Sequence, residues 1–242
     1  MLDSLKRWLH VTPSGMDLRG VASWAKQRGH EFKRARDGEG FAIEGSMQAG
    51  SKRQAWRLEW GAPQRSYIAT HELRIRADLE LHSGLQMLVL SARLLEQLES
   101  DTFNLYTETM QTRIDASAPE EMRWLAIFPK VNLSEVRNVR GHFGAVASVP
   151  SLAARWLSGP LGAELAQARL GLLTMQSPLL VMSNRHRMTL RMECSDVVAK
   201  DVDQAVRLFE TAVSEALQLR HERPSAGSTI TSDSGFDTEA ME

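Results

Sequence analysis

Apolar and polar residues alternate through Tyr67–Leu81, and this pattern constrains the fold more than any other feature of the chain. Alternate side chains of a β-strand point to opposite faces, so the segment is predicted to be a long strand with one buried and one solvated face. A shift of one residue would exchange the two faces, so the register should be firmly fixed. The residues predicted to face the core are Tyr67, Ala69, Leu73, Ile75, Ala77, Leu79 and Leu81.

Three extended segments precede this strand and are joined to it by turns. Phe32–Arg36 and Phe41–Met47 flank Asp37–Gly40, whose glycines suit the positive φ angles of a hairpin. Gln54–Trp60 alternates as well, and Gly61–Gln64 leads into the long strand. Because the connections are too short for parallel crossovers, the four segments are predicted to form an antiparallel meander. Its apolar face would carry Phe41, Ile43, Trp56, Leu58, Trp60, Leu73 and Ile75.

The C-terminal half adds a hairpin and a long helix. Leu179–Met182 and Met188–Cys194 are predicted strands on either side of the turn Ser183–His186. Asp201–Leu219 places its apolar residues three and four apart, which gives a helix one apolar stripe. Helices are needed to cover the apolar face of the sheet. The predicted fold class is therefore α+β, an antiparallel sheet packed against helices.

Other segments give more local predictions. Phe103–Thr109 and Met110–Asp115 look extended, and Asn138–Val149 is predicted to be a strand with bulges at its glycines. Leu85–Leu98 fits a helix, although its start fits a strand equally well. Further helices are predicted at Asp17–Arg28, Ser151–Leu157, Leu161–Leu173 and about 118–128, where Ser117–Glu120 resembles a capping box.

Composition and terminal segments bound the domain organisation. The 242 residues suffice for a single domain over 1–220, and a subdivision near 115–135 stays open. Residues 221–242 are acidic and poor in large apolar groups, so they are predicted to be a disordered tail. A net charge of -1 gives no overall attraction to nucleic acid or anionic membranes. A single cysteine, the lack of a secretory signal and the lack of a long apolar run predict a cytoplasmic protein without a membrane anchor.

Known catalytic and ligand-binding motifs are missing from the sequence. There is no P-loop, no GxGxxG and no GxSxG, and no two histidines have the spacing of a local metal site. Ser23–Lys26 matches SxxK but lacks the companion motifs of that class of enzyme. The expectation is a protein with no cofactor and no metal, and catalysis is disfavoured.

Nine residues are candidates for a binding site, and each has a structural alternative. His71 lies on the apolar face of the long strand, as a buried base or as a hydrogen-bonded core histidine. The acids and arginines near the capping box could form an acid–base site. Alternatively, the acids are there because negative charge is favoured in the first turn of a helix. Arginines of the C-terminal hairpin suit an anion site or cross-strand ion pairs. The candidates are His71, Arg113, Asp115, Glu120, Arg123, Arg185, His186, Arg187 and Arg191.

Three functions are compatible with these features. The leading hypothesis is a non-enzymatic protein-interaction or adaptor module with a protein partner, with a homodimer through a sheet edge or a helix as a further alternative. The second is a small-ligand binder or enzyme with a pocket between sheet and helices near His71 and Arg113–Arg123. The third is weak anion or nucleic-acid binding through the arginines. Nucleic acid is disfavoured, because the aromatic residues fall mainly on the predicted core face.

Overall fold

The computed structural model describes residues 17–35, 40–49, 52–81, 85–109, 118–174 and 177–219. The predicted tail at 221–242, the predicted strand at 110–115 and the candidates Arg113 and Asp115 lie outside these residues. Six helices are described: α1 Leu18–Gln27, α2 Ala92–Thr109, α3 Glu120–Ile127, α4 Pro150–Ser158, α5 Pro160–Gly171 and α6 Ala199–Leu219. Eight strands are described: β1 Glu31–Arg34, β2 Phe41–Ala49, β3 Lys52–Gly61, β4 Glu72–Asp78, β5 Met87–Ser91, β6 Phe143–Ala147, β7 Leu179–Asn184 and β8 Arg187–Glu193.

All eight strands belong to one antiparallel sheet in the order β1-β2-β3-β4-β8-β7-β5-β6. The predicted meander is confirmed as β1 to β4, and the predicted hairpin as β7 and β8. The two units join where β4 pairs with β8, with Ile75 opposite Leu190. Beyond Asp78 the chain stays against the hairpin turn, because Leu79 and Leu81 donate N–H bonds to the carbonyls of His186 and Arg185.

One face of the sheet is covered across its full width by helices. Apolar residues from all eight strands pack there against α1, α4, α5 and α6, in the larger of two core clusters, with β1 contributing the partly buried Phe32. The long C-terminal helix is confirmed, and its stripe, which includes Val206, Phe209 and Val213, is buried in this cluster. The seven residues predicted for the apolar face of the meander are all buried in it.

The opposite face is covered over only part of its width. Here α2 and α3 contribute Leu94, Leu98 and Trp124 to a second, smaller cluster. The sheet residues of that cluster come from β5, β6 and β7 and are Leu88, Leu90, Val146, Leu180 and Met182. Tyr67 also belongs to it, which corrects the prediction that Tyr67 shares the buried side of Leu73 and Ile75. The strand predicted over Tyr67–Leu81 is limited to β4, so Tyr67 lies in the loop before it, where strand alternation no longer fixes the direction of a side chain. Ala69, also predicted to face the core, is exposed in the same loop.

Two local predictions are wrong. Phe103–Thr109 forms the last part of α2 rather than a strand. The buried residues Leu94, Leu98 and Thr102 are four apart, so packing of a helix stripe overrides the short-range alternation. The strand predicted over Asn138–Val149 is limited to β6, since the chain turns before it and Gly141 has a φ of 75°.

The ambiguous segment Leu85–Leu98 divides into β5 and the start of α2. Gly144 pairs in register with Leu90 and forms no bulge. A Cβ atom there would stand 2.2 Å from Leu95 Cδ2, so glycine lets α2 approach the sheet closely. Across the described ranges, no helix combines the length and the apolar character that crossing a membrane requires.

Candidate functional site

The half of the second face that α2 and α3 leave uncovered carries charged residues in rows. We call this surface the charged face; it comprises the polar sides of β1 to β4 and β8. Cross-strand pairing fixes each row, because residues opposite each other on antiparallel strands share a side. One row is Lys33, Ala42, Glu59, Arg74 and Arg191; the next is Glu31, Glu44, Arg57, Arg76 and Thr189.

Glu59 is the centre of the charged face. Its carboxylate accepts hydrogen bonds from Arg57 Nε at 2.8 Å, from Arg74 Nη2, and from Arg76 Nη2 at 3.4 Å. Burial alone would raise the pKa of Glu59, but the hydrogen bonds and charges of these arginines lower it to about 2. Glu59 is therefore a carboxylate at physiological pH and holds three guanidinium groups together.

Arg74 contributes a donor that its neighbours do not use. Its side chain is 11% exposed, and its Nε is buried without a hydrogen-bond partner among the described residues. A buried donor without an acceptor costs roughly 1 to 3 kcal/mol. The Nε is closed off from solvent in this side-chain conformation, so an acceptor oxygen would relieve this cost only if Arg74 turned toward it.

A cavity of about 690 Å³ opens beside Arg74. It reaches across the charged face from β1 to β4, where Ala42 and Gly61 place little or no side chain on the sheet surface. Its charged lining residues are Lys33, Arg34, Arg57, Glu59, Glu72 and Arg74. Four of these are cationic and two anionic, so the lining carries a positive excess.

The predicted arginines of the C-terminal hairpin take up separate positions. Arg191 forms an ion pair with Glu72, which is 3% exposed and also accepts the Gln64 N–H at 2.7 Å. This burial corrects the prediction that Glu72 lies on a solvated face. The loop before β4 covers Glu72 while Arg191 supplies its counter-charge. Arg187 is half exposed and donates to Asp78 at 2.8 Å.

Arg185 and His186 lie in the turn of that hairpin. Their carbonyls accept hydrogen bonds from the backbone N–H groups of Leu81 and Leu79, beyond the end of β4. His186 lies next to Arg187, which enters β8. The two residues therefore stand at one end of the charged face, and neither lines the cavity there.

The start of α3 borders the charged face near the loop before β4. Glu121 is 1% exposed and accepts from Arg65 Nε at 2.6 Å and from the Tyr67 hydroxyl at 2.8 Å. Burial acts to raise the pKa of Glu121, but the hydrogen bonds from Arg65, a backbone N–H and Tyr67, together with the charge of Arg65, outweigh it and the pKa is lowered. The neighbouring candidate Glu120 accepts from Asn184 Nδ2 at 2.6 Å, and burial raises its pKa.

The predicted capping box has no complete counterpart in the described residues. Pro119 caps α3 without a side-chain bond, and Ser117 lies outside the described residues. Arg123, also predicted for this site, has a buried Nε without a hydrogen-bond partner in the described part of the chain.

His71 lies apart from these groups. Its ring stacks on Trp60 with centroids 4.4 Å apart, and its carbonyl accepts the Cys194 N–H at 2.9 Å. Trp60 belongs to the larger core cluster, whereas α3 packs against the smaller one on the other face. The structure therefore does not gather His71, Glu120 and Arg123 around one pocket.

A second feature is the open edge of β2. Strand β1 pairs only with Phe41–Glu44, so the following half of β2 has a strand on one side alone within the described residues. Ala35 N–H bonds to Gly40 O, and hydrogen-bonded pairs recur every second residue, so Ser46 directs its N–H and C=O away from β3. The edge at Ser46 therefore presents backbone groups in the arrangement of a sheet.

A groove of about 540 Å³ runs along this edge between β2 and α6. Met47 and Val206 lie at its base and are nearly buried. Glu164 on its rim has a buried Oε2 without a hydrogen-bond partner in the described chain, and Arg207 stands 4.0 Å away, beyond hydrogen-bond distance. Glu210 accepts from Trp56 Nε1 at 2.9 Å, and burial raises its pKa.

Comparison with protein-family models, curated proteins and solved structures finds no match to this chain. Any function has to be argued from the geometry itself. In the described ranges, no three His, Cys, Asp or Glu side chains come together as a metal site requires.

The sequence-based candidates did not include the residues that build the cavity. Lys33, Arg57, Glu59 and Arg74 come from three different strands, β1, β3 and β4, and meet only through strand pairing. Strand alternation already placed Arg57 and Glu59 on a polar side, and Arg74 on another. If the predicted strands had been paired in register, residues opposite each other on neighbouring strands would have shown that these four side chains lie together.

Proposed function

We propose that this protein is a non-enzymatic protein-interaction module that binds an extended segment of another protein beside the open half of β2. The observation that carries the proposal is the edge at Ser46, which lies against a groove formed with α6. Added strands bind to such edges through main-chain hydrogen bonds, and pockets beside the edge select alternate side chains.

The surroundings of the edge suggest which segment would fit. Successive side chains of an added strand would point alternately to the groove and to the opposite side of the sheet. An apolar side chain on the groove side would meet Met47 and Val206.

The proposal also includes the cellular compartment in which this binding takes place. Cys194 is the one cysteine of the chain and is buried, and burial raises its pKa to about 12. A thiol of this kind is unreactive. A chain with one cysteine forms no intrachain disulfide, which suits a reducing compartment. We place the binding in the cytoplasm.

A proline substitution at position 46 tests whether a partner segment pairs with the open half of β2. Ser46→Pro removes an N–H that points away from β3, so the pairing of β2 with β3 is kept. The matched control Ser46→Ala keeps this N–H and loses only the hydroxyl that accepts from Arg53 Nε at 2.7 Å. Both variants carry a photo-crosslinking residue at Thr211 in the groove and are expressed in the cells of origin.

The expected result is a crosslinked adduct that Ser46→Ala retains and that Ser46→Pro lowers about tenfold, the factor for 1.4 kcal/mol of binding. Mass spectrometry of the adduct should map the crosslink to an extended segment of a different protein. An adduct that withstands Ser46→Pro in a folded variant argues against strand addition. An adduct between two copies of this chain would replace the proposal with a homodimer through the same edge.

A further inference from the structure

The cavity on the charged face lies on the side of the sheet opposite the proposed groove. Ala42 and Gly61 leave space on the sheet surface. Lys33, Glu59 and Arg74, from the row of Ala42, and Glu72, opposite Gly61, line the cavity around them. A volume of about 690 Å³ falls in the range of pockets that bind small molecules.

The charges around this cavity favour an anion. Its two carboxylates are already neutralised, since Glu59 accepts from three arginines and Glu72 pairs with Arg191. Arg34 at the end of β1 also lines the cavity, although it pairs in register with Phe41, which faces the core. Lys33 pairs with Glu31 and Glu44, which stand beside the cavity but do not line it.

We infer that this cavity binds a small molecule through a phosphate or carboxylate group held by Arg74. A bound oxyanion would draw the Arg74 side chain toward it and supply the acceptor that its Nε lacks, and Lys33 would supply a further cationic donor from β1. Guanidinium groups match the planar, multiple acceptors of both oxyanions. The inference does not depend on the strand-addition groove.

A nucleic-acid strand fits the same face poorly. Bases are usually bound by stacking on exposed aromatic rings. The aromatic side chains of these strands, Phe32, Phe41, Trp56 and Trp60, pack in the larger core cluster on the other side of the sheet. Phe41 and Trp60 also border the cavity, but they are only 3% and 2% exposed and present no free ring. The charged face thus offers donors for an oxyanion without a stacking platform.

Calorimetric titration of the full chain with inorganic pyrophosphate and, separately, with citrate tests the site. Wild type should bind at least one of them, and binding should weaken as salt is raised. Arg74→Gln should weaken binding about tenfold or more, which corresponds to the loss of one charge-assisted contact. Arg187→Gln is the matched control, because it removes the same charge from the same face at an exposed position away from the cavity lining.

Arg74 also pairs with Glu59, so a second variant tests the site without altering charge. Ala42→Leu fills the base of the cavity and should abolish binding while the protein stays folded by circular dichroism. Preference for pyrophosphate or for citrate would tell a phosphate site from a carboxylate site. The inference is overturned if wild type binds neither probe, or if Arg187→Gln weakens binding as much as Arg74→Gln. It also fails if a folded Ala42→Leu variant binds as wild type does.

Discussion

One face of the sheet contains two contrasting halves that share the same rows of residues. The row through Glu59, Arg74 and Arg191 continues directly into Leu180 and Leu90 on the neighbouring strands. On the charged half these side chains form ion pairs, and no helix of the described chain packs over them. On the apolar half, α2 and α3 pack over the row. The boundary falls between β8 and β7.

The difference shows what decides where a helix layer ends. Apolar side chains on β5, β6 and β7 gain free energy when α2 and α3 remove them from water. Arginines and glutamates on β3 and β4 would lose hydration under such a layer. At the boundary, Glu121 on α3 accepts hydrogen bonds from Arg65 and Tyr67 in the loop before β4. These bonds join the helix layer to the charged half.

The largest expected effect on the free energy of unfolding comes from a substitution in the apolar half. Leu88 is fully buried under α2 and α3, so Leu88→Ala should lower the free energy of unfolding by about 3 kcal/mol through lost burial and a cavity. Denaturant unfolding of the purified protein measures this value. A loss below about 1 kcal/mol would mean that the helix layer is not packed on this half of the face as described.

An intermediate effect on the free energy of unfolding is expected when low pH protonates Glu59. Its pKa is about 2 in the folded protein against 4.5 for the ordinary group. A lowered pKa means that Glu59 contributes stability above pH 4.5, which is lost as the pH falls from about 4.5 towards 2. Since a quarter of its side chain is exposed, the contribution should be at most roughly 2 kcal/mol.

Measuring the free energy of unfolding against pH for wild type and Glu59→Gln isolates this effect. The variant should be less stable than wild type at pH 6, and the two curves should converge as the pH falls through that range. Parallel curves would show that the arginines around Glu59 do not stabilise its charged form.

The smallest effect is expected from Arg76, which lies in the same row as Leu88 across β8 and β7. Its side chain is 38% exposed and its ion pair with Glu59 is 3.4 Å long. Arg76→Ala should therefore change the free energy of unfolding by only about 0.5 kcal/mol. A loss close to that of Leu88→Ala in the same denaturant assay would remove the energetic contrast between the two halves.

Part of the site follows from the sequence, and its assembly does not. Alternation correctly placed Leu73 and Ile75 in the core and Arg74 and Arg76 on the other side. It could not indicate that Glu72 would be buried, because the loop that covers it and Arg191, its partner, come from elsewhere in the chain. Phe103–Thr109 shows the reverse case, in which a local alternating pattern yields to a helix that continues from Ala92.

The sequence by itself determined the meander, the C-terminal hairpin, the long last helix and the side of the meander strands that enters the core. These features depend on the direction of successive side chains, which the local backbone fixes. Only the tertiary structure decided that β4 pairs with β8 and that α2 and α3 stop at β7. It also decided that β1 leaves half of β2 unpaired on one side within the described residues. Such choices depend on the summed burial and pairing of segments distant in sequence, which no local pattern contains.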